Sequence, residues 1–303
     1  MAIADRLRVL KALQLGTVFL LVLALPGGAF AGQPQLPTSP KDDQHWYPEF
    51  PENKELNDTL LNGDFEQARP GPDVGPKGWA HPDGLTVFWE KDSDPKHGMA
   101  IRIDTDVLEE EAKARQAEVR AALEKGANPP PAKKKTVVSS AQQYATIGAT
   151  YGVSLYSEKI KCKPKQSYKI SFDFKGPVGG DPFFCAKLMI RGFGTTKDQD
   201  GKEAARKLWE TIVFCRAKEN GWRHFEQAFN PTRRPTGKTL KREPGKDDKK
   251  GDEREYKYID IAFLRVMLYA YWPRTEYYFD NIKIEEISDE EFERLKDIPA
   301  DLR

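Results

Sequence analysis

Of the many aromatic and cationic side chains in this sequence, seven sit on or near strand-like stretches where they could grip a ring-shaped, hydroxyl-bearing ligand: Trp89, Lys187, Arg191, Trp209, Arg265, Tyr269 and Tyr271. A flat aromatic face covers the apolar side of a pyranose ring, and planar or cationic donors reach its hydroxyls. Most of them share a spacing. Phe184, Ala186, Leu188 and Ile190 alternate with Cys185, Lys187, Met189 and Arg191, and Leu264, Val266, Leu268 and Ala270 alternate with Arg265, Met267, Tyr269 and Tyr271. A period of two puts each set on one face of a strand. Lys187, Arg191, Arg265, Tyr269 and Tyr271 are therefore expected on a non-core sheet face, with Trp209 and Trp89 near strand ends. The same Arg and Tyr residues can also cover such a face by stacking and salt links with no ligand. Trp79 and Trp222, each behind a glycine, read as core.

Catalytic chemistry has less to stand on. A glycosidase needs two carboxylates at a set separation, and the 47 acidic residues offer pairs everywhere with none preferred. No Gly-x-Ser-x-Gly, His-Glu-x-x-His or P-loop motif occurs. Of the four histidines, His45, His81 and His97 fall in loops or the N-terminal arm and His224 lies near Trp222, none with metal-ligand spacing. The reading is that the chain is not an enzyme. Three cysteines, Cys162, Cys185 and Cys215, are too few for a disulfide scaffold. Phe183 to Arg191 and Trp209 to Arg216 flank a polar stretch centred near Asp200, which predicts a hairpin with Cys185 facing Cys215, Lys187 facing Val213 and Arg191 facing Trp209. Directly opposed cysteines could bridge or stay as paired thiols.

The elements that must position these residues are short strands. Candidates are Leu85 to Glu90, Ala100 to Asp104, Tyr151 to Lys161, Tyr168 to Lys175, Phe183 to Arg191, Thr211 to Arg216, Arg223 to Phe229, Ile261 to Tyr271 and Tyr277 to Glu286, most ending in turn residues and none followed by a clear crossover helix. That pattern predicts an all-β, antiparallel sandwich. Two stretches interrupt it. Val107 to Gly126 is rich in Glu, Ala, Arg and Leu with charges at i, i+4 and reads as a helix with a flexible exit through Pro129, Pro130 and Pro131. Thr232 to Arg254 is rich in Lys, Asp, Gly and Pro and reads as a mobile loop. Ser288 caps a short C-terminal helix, Asp289 to Lys296. At the other end, Arg6, Arg8 and Lys11, an apolar run from Leu13 to Leu25, and Pro26-Gly27-Gly28-Ala29-Phe30-Ala31 read as a signal peptide over residues 1–31. The expected destination is secretion, or the periplasm and cell envelope, with no transmembrane span after cleavage. Residues 32–57 read as a proline-rich arm whose aromatic island, His45, Trp46, Tyr47 and Phe50, latches onto the domain surface. The domain itself is expected over 58–287, with insertions at 107–136 and 232–254, and 288–303 as helix and tail. A net charge of +1 gives no general pull toward nucleic acid.

An ordered set of motifs runs through this domain: Leu60-Leu61-Asn62-Gly63-Asp64-Phe65-Glu66, Gly78-Trp79, His97-Gly98-Met99-Ala100-Ile101-Arg102-Ile103, Tyr168 to Gly176, Gly221-Trp222-Arg223 and Tyr277-Tyr278-Phe279-Asp280-Asn281-Ile282. Together they resemble the carbohydrate-binding modules of families four and nine, from Leu60 to Glu286, with the two insertions departing from the compact module. The resemblance implies a galactose-binding-like, jelly-roll β-sandwich that binds a polysaccharide or other glycan without catalysis. It also implies a structural calcium held by Glu66 and Asp280, with Asp64 a further candidate; a hard cation wants several oxygens. The alternatives are a structural or protein-interaction domain of the cell envelope, and an accessory unit of an unrecognised glycoside hydrolase.

Overall fold

A computed structural model of the chain describes residues 56–70, 75–132, 134–179, 185–197, 203–239 and 254–300. The leader, the arm with its aromatic island, and the centre of the lysine-rich stretch lie outside the described residues. Two antiparallel sheets form the frame. The first has the order β1 (Val87–Lys91), β2 (Met99–Asp104), β12 (Glu276–Ile287), β5 (Ser167–Lys175) and β8 (Arg223–Phe229). The second has the order β3 (Val153–Tyr156), β11 (Phe263–Ala270), β6 (Ala186–Lys197) and β7 (Glu203–Cys215), with β4 (Ile160–Lys161) also on β11. Going along the chain, strands pass back and forth between the sheets, which is the jelly-roll arrangement.

The alternation read from the sequence is what holds the sheets face to face. Ile170, Phe172 and Phe174 on β5, Phe225 on β8 and Tyr277 and Phe279 on β12 are buried on the inner face of the first sheet. Leu155, Leu188, Ile190, Val213, Leu264, Val266 and Leu268 answer them from the second. Burying one such side chain contributes ~1.5–3 kcal/mol. Phe172 stacks on Phe225 at 5.3 Å and Phe174 meets Phe279 at 5.2 Å. These rings and the second sheet's aliphatic residues belong to one hydrophobic cluster.

Several elements differ from expectation. The stretch read as a loop contains β9 (Arg233–Thr239) paired with β10 (Arg254–Tyr258). Polarity alone argued for disorder, but cations and rings hold the ribbon: its Arg233 sits 3.9 Å over Tyr256, and Lys165 from the turn before β5 lies 5.3 Å from the ring of Tyr258. The insertion helix α1 (Glu109–Glu124) opens on Glu109, Glu110 and Glu111 and ends before Gly126, whose φ is +67°. Beyond the proline run the chain is tied down again. Lys135 Nζ reaches Asp104 Oδ2 at 2.5 Å, Thr136 bonds Glu111, and Arg274 Nη1 donates to the Val138 carbonyl at 3.3 Å. A four-residue helix α2 (Ile147–Thr150) leads into β3. The closing helix α3 (Asp289–Leu295) is capped by Ser288 Oγ, which accepts from Glu291 N at 3.1 Å, and packs Phe292 and Leu295 on Ala228 and Ile287. Among the described residues no helix is long and apolar enough to cross a membrane.

The β6–β7 hairpin corrects the cysteine register. From Lys197↔Glu203 to Phe193↔Lys207 the pairing is centred on position 200, as expected. Leu208 is then an extra residue, and beyond it Arg191 pairs with Glu210, Lys187 with Phe214 and Ala186 with Cys215. One bulged residue shifts every later pair by one. Cys185 and Cys215 are therefore not opposed, and all three cysteines are free and buried.

Candidate functional site

The second sheet's outer face gathers Lys187, Arg191, Arg265 and Tyr269 of the predicted residues. Three rows cross it: Arg265, Arg191 and Glu210; Met267, Met189 and Ile212; Tyr269, Lys187 and Phe214. It is not the open surface the alternation suggested. Arg191 is 2% exposed, Met267 2% and Tyr269 7%, while Lys187 and Arg265 are half-buried. Arg191 and the two tyrosines find partners within the protein. Arg191 Nε donates to Glu210 Oε2 at 2.7 Å and its Nη1 to the Tyr156 hydroxyl at 2.8 Å. The Tyr269 hydroxyl donates to the Tyr151 carbonyl at 3.0 Å, and that of Tyr271 to the Ala149 carbonyl at 3.2 Å. Burial pushes both phenols up and the Lys187 ammonium down. Trp89 is not part of this face; it lies on β1 in the first sheet, with Nε1 donating to the Phe65 carbonyl at 2.8 Å.

The row of Arg265, Arg191 and Glu210 ends at an open cavity of about 520 Å³ on the sandwich edge, lined by Lys207, Leu208, Trp209, Glu210, Arg233 and Arg234. The bulge builds it. In the unbulged register Trp209 would face Arg191 on the outer side; here it lies opposite Gly192 and stacks on Phe229 of the first sheet at 5.6 Å. Gly194 makes room, since a Cβ there would overlap the Leu208 side chain and come within 2.8 Å of the Asp260 carbonyl. The β9–β10 ribbon supplies the two arginines. Glu210, the acid in this lining, already accepts from Arg191 and from Lys207 at 3.2 Å.

The expected metal ligands lie at the outer face of the first sheet. The Asn62-Gly63 turn docks on the last strand: Ile282 N donates to the Gly63 carbonyl at 2.8 Å, and a Cβ on Gly63 would overlap the Ile282 carbonyl. Glu66 Oε1 accepts from Met99 N at 2.7 Å. Asp280 is 1% exposed, and Asp64 is exposed. Burial foremost, then the charges of Asp173, Glu66 and Asp64, push the Asp280 carboxyl up to about 8 against the backbone N–H of Asn281. Crowded carboxylates suit a divalent cation. Asp280 Oδ2, however, stands 3.0 Å from His97 Nδ1, and among the described residues no three His, Cys, Asp or Glu side chains are grouped to hold an ion.

No family model matches this chain, and no curated protein matches it. Among solved structures it is similar to a family 16 carbohydrate binding module, at 12% identity and a TM-score of 0.36 over 75% of this chain and 99% of that one. It is similar to a CBM22-1 xylan-binding domain from Paenibacillus barcinonensis, at 12% identity and a TM-score of 0.32 over 77% and 97%. A cyclase from Fischerella sp. TAU is also similar, at 10% identity and a TM-score of 0.30 over 76% and 83%. Likeness at this level says nothing of what this chain binds.

Sequence reasoning missed two features. Trp222 is half-buried on the surface rather than in the core: it stacks on His97 at 4.0 Å and lies beneath Lys175, 4.9 Å from its ring, while its Nε1 donates to Asp92 Oδ1 at 3.3 Å. The other is the part played by Arg233 and Arg234. Their only signal was a basic pair inside a stretch that read as a loop, and pairing with β10 is what carries them to Trp209.

Proposed function

We propose that this chain is an exported, non-catalytic β-sandwich that binds a glycan at the edge of its second sheet. One observation carries the reading. Trp209 and three cationic side chains surround an open cavity of about 520 Å³, within the ~300–1,000 Å³ range of small-ligand sites, and Glu210 joins it to the Arg191–Arg265 row. An aromatic face beside forked and point-charge donors is the combination that a sugar ring with hydroxyls requires. On a glycan array the protein should retain at least one polysaccharide. Trp209→Ala should weaken that binding about tenfold or more, equivalent to ~1.4 kcal/mol, while Trp209→Phe, which keeps the packing on Phe229, should fall between. Binding that both variants leave unchanged would remove the site. Export is read from the leader, so mass spectrometry should find the mature chain beginning at Gly32; Met1 retained on a cytosolic protein would contradict it.

A hard divalent cation at Glu66 and Asp280, with Asp64 and Asp173 nearby, is the second part of the reading. Its support is the crowding of carboxylates around a buried Asp280. When bound, the ion would neutralise that crowding and tie the Asn62-Gly63 turn to the last strand. A ligand that binds only the folded form adds ~2.7 kcal/mol at a hundredfold excess over Kd. Chelation should therefore lower the melting temperature of the wild type and leave Glu66→Gln unmoved. Identical melts with calcium and with chelator would dismiss the ion.

A further inference from the structure

From the charges around the Trp209 cavity we infer that its ligand is an acidic glycan, one carrying a carboxylate or sulfate that Arg234 and Lys257 hold; this rests on the glycan reading above. Arg234 on β9 stands directly opposite Lys257 on β10. Directly opposed strand residues have Cβ atoms ~4.5–5.5 Å apart on the same face, and like charges there repel. Neither side chain makes an ion pair or side-chain hydrogen bond among the described residues. The other cations at the cavity are already matched: Arg233 Nη1 bonds Glu293 Oε1 at 2.6 Å, and Lys207 shares Glu210 with Arg191. Among the described residues, Arg234 in the cavity lining and Lys257 opposite it on the ribbon are thus a guanidinium fork and an ammonium with no acidic side chain bonded to either. A neutral sugar would leave that repulsion in place. A carboxylate or sulfate would relieve it, and the fork can meet two of its oxygens at once. Trp209, lining the same cavity, offers the flat surface on which the ring bearing the anion can lie. A nucleic acid fits less well, because a run of bases calls for several stacking rings and the chain's net charge is +1.

The test is calorimetric titration of the full protein with polygalacturonate beside its methyl ester, and with dextran sulfate beside neutral dextran. At least one acidic form should bind about tenfold or more tightly than its neutral partner. Arg234→Gln and Lys257→Gln, both away from the core, should erase that preference, and Arg234→Lys should restore part of it. The preferred acid also tells a carboxylate from a sulfate. Equal binding of charged and neutral forms, or a preference untouched by both Gln variants, overturns the inference while leaving the glycan reading standing. Should neither these polymers nor any array glycan bind, both fall. Tighter binding of single-stranded poly-dT than of either acidic glycan overturns the inference in favour of nucleic acid.

Discussion

At the scale of single residues, many polar side chains find partners inside the protein, and one such pairing has a measurable pH signature. That case is Asp92. Burial works to raise its carboxyl, but the Lys175 ammonium, the backbone N–H of Asp94 and the Trp222 indole outweigh it and hold the group below its ordinary 3.8. A carboxylate with a depressed folded value contributes stability above its unfolded value and loses it as pH falls through the folded one. Asp92→Asn should therefore cost ~1–3 kcal/mol at pH 7 in urea melts. The gap from wild type should close below the ordinary carboxylate value of 3.8, and a gap independent of pH would contradict the assignment. Trp222, which helps to hold this carboxylate, was expected in the core. A glycine before a tryptophan does not say which side of a sheet the ring will take.

At the scale of elements, the β6–β7 hairpin decides most. Its turn is centred where the sequence places it, yet the extra residue Leu208 moves Trp209 off the Arg191 row and to the sandwich edge. Gly194 tolerates that bulge because it has no side chain. Gly194→Ala should destabilise the fold by ~1–3 kcal/mol, as overpacking does, and should weaken any ligand of the Trp209 cavity more than Trp209→Phe does. A variant with wild-type melting and binding would show that the bulge does not build the site. The ribbon of β9 and β10 belongs to the same lesson. Its residues look solvated one at a time, and it forms because Arg233 has Tyr256 to lie against and Glu293 to bond.

At the scale of the whole molecule, the two sheets share one core, so buried groups anywhere in it should open together. Cys162, Cys185 and Cys215 sit in or beside that core as free thiols. Burial pushes Cys162 up to about 11 and Cys215 well above its ordinary range. A thiolate is the reactive form, so a thiol reagent at pH 8 should label the native protein slowly. In denaturant without reductant it should count three thiols. A count of one would mean that two of the three are bridged after all.

What the sequence determined by itself is the frame. Strict alternation in Ile170 to Phe174, Ala186 to Ile190 and Leu264 to Ala270 settles which face of each strand turns to the space between the sheets, because the side-chain period of a strand is two and one set is the more apolar. Ser288, Gly126 and the acidic start of α1 mark helix ends, since caps and end charges act within a turn of where they are written. The same alternation named Arg191, Arg265, Tyr269 and Lys187 as neighbours on one face. Only the tertiary structure decided how exposed that face is and where it leads. The phenols of Tyr269 and Tyr271 reach carbonyls of Tyr151 and Ala149 more than a hundred residues away. The Leu208 side chain packs over Gly194, where a Cβ would overlap it, and Arg234 comes to Trp209 through a strand pair that no local pattern announces. Register, bulges and coverage are set by contacts distant in sequence, so a local reading can assign faces but cannot tell where on the sheet a ligand would sit.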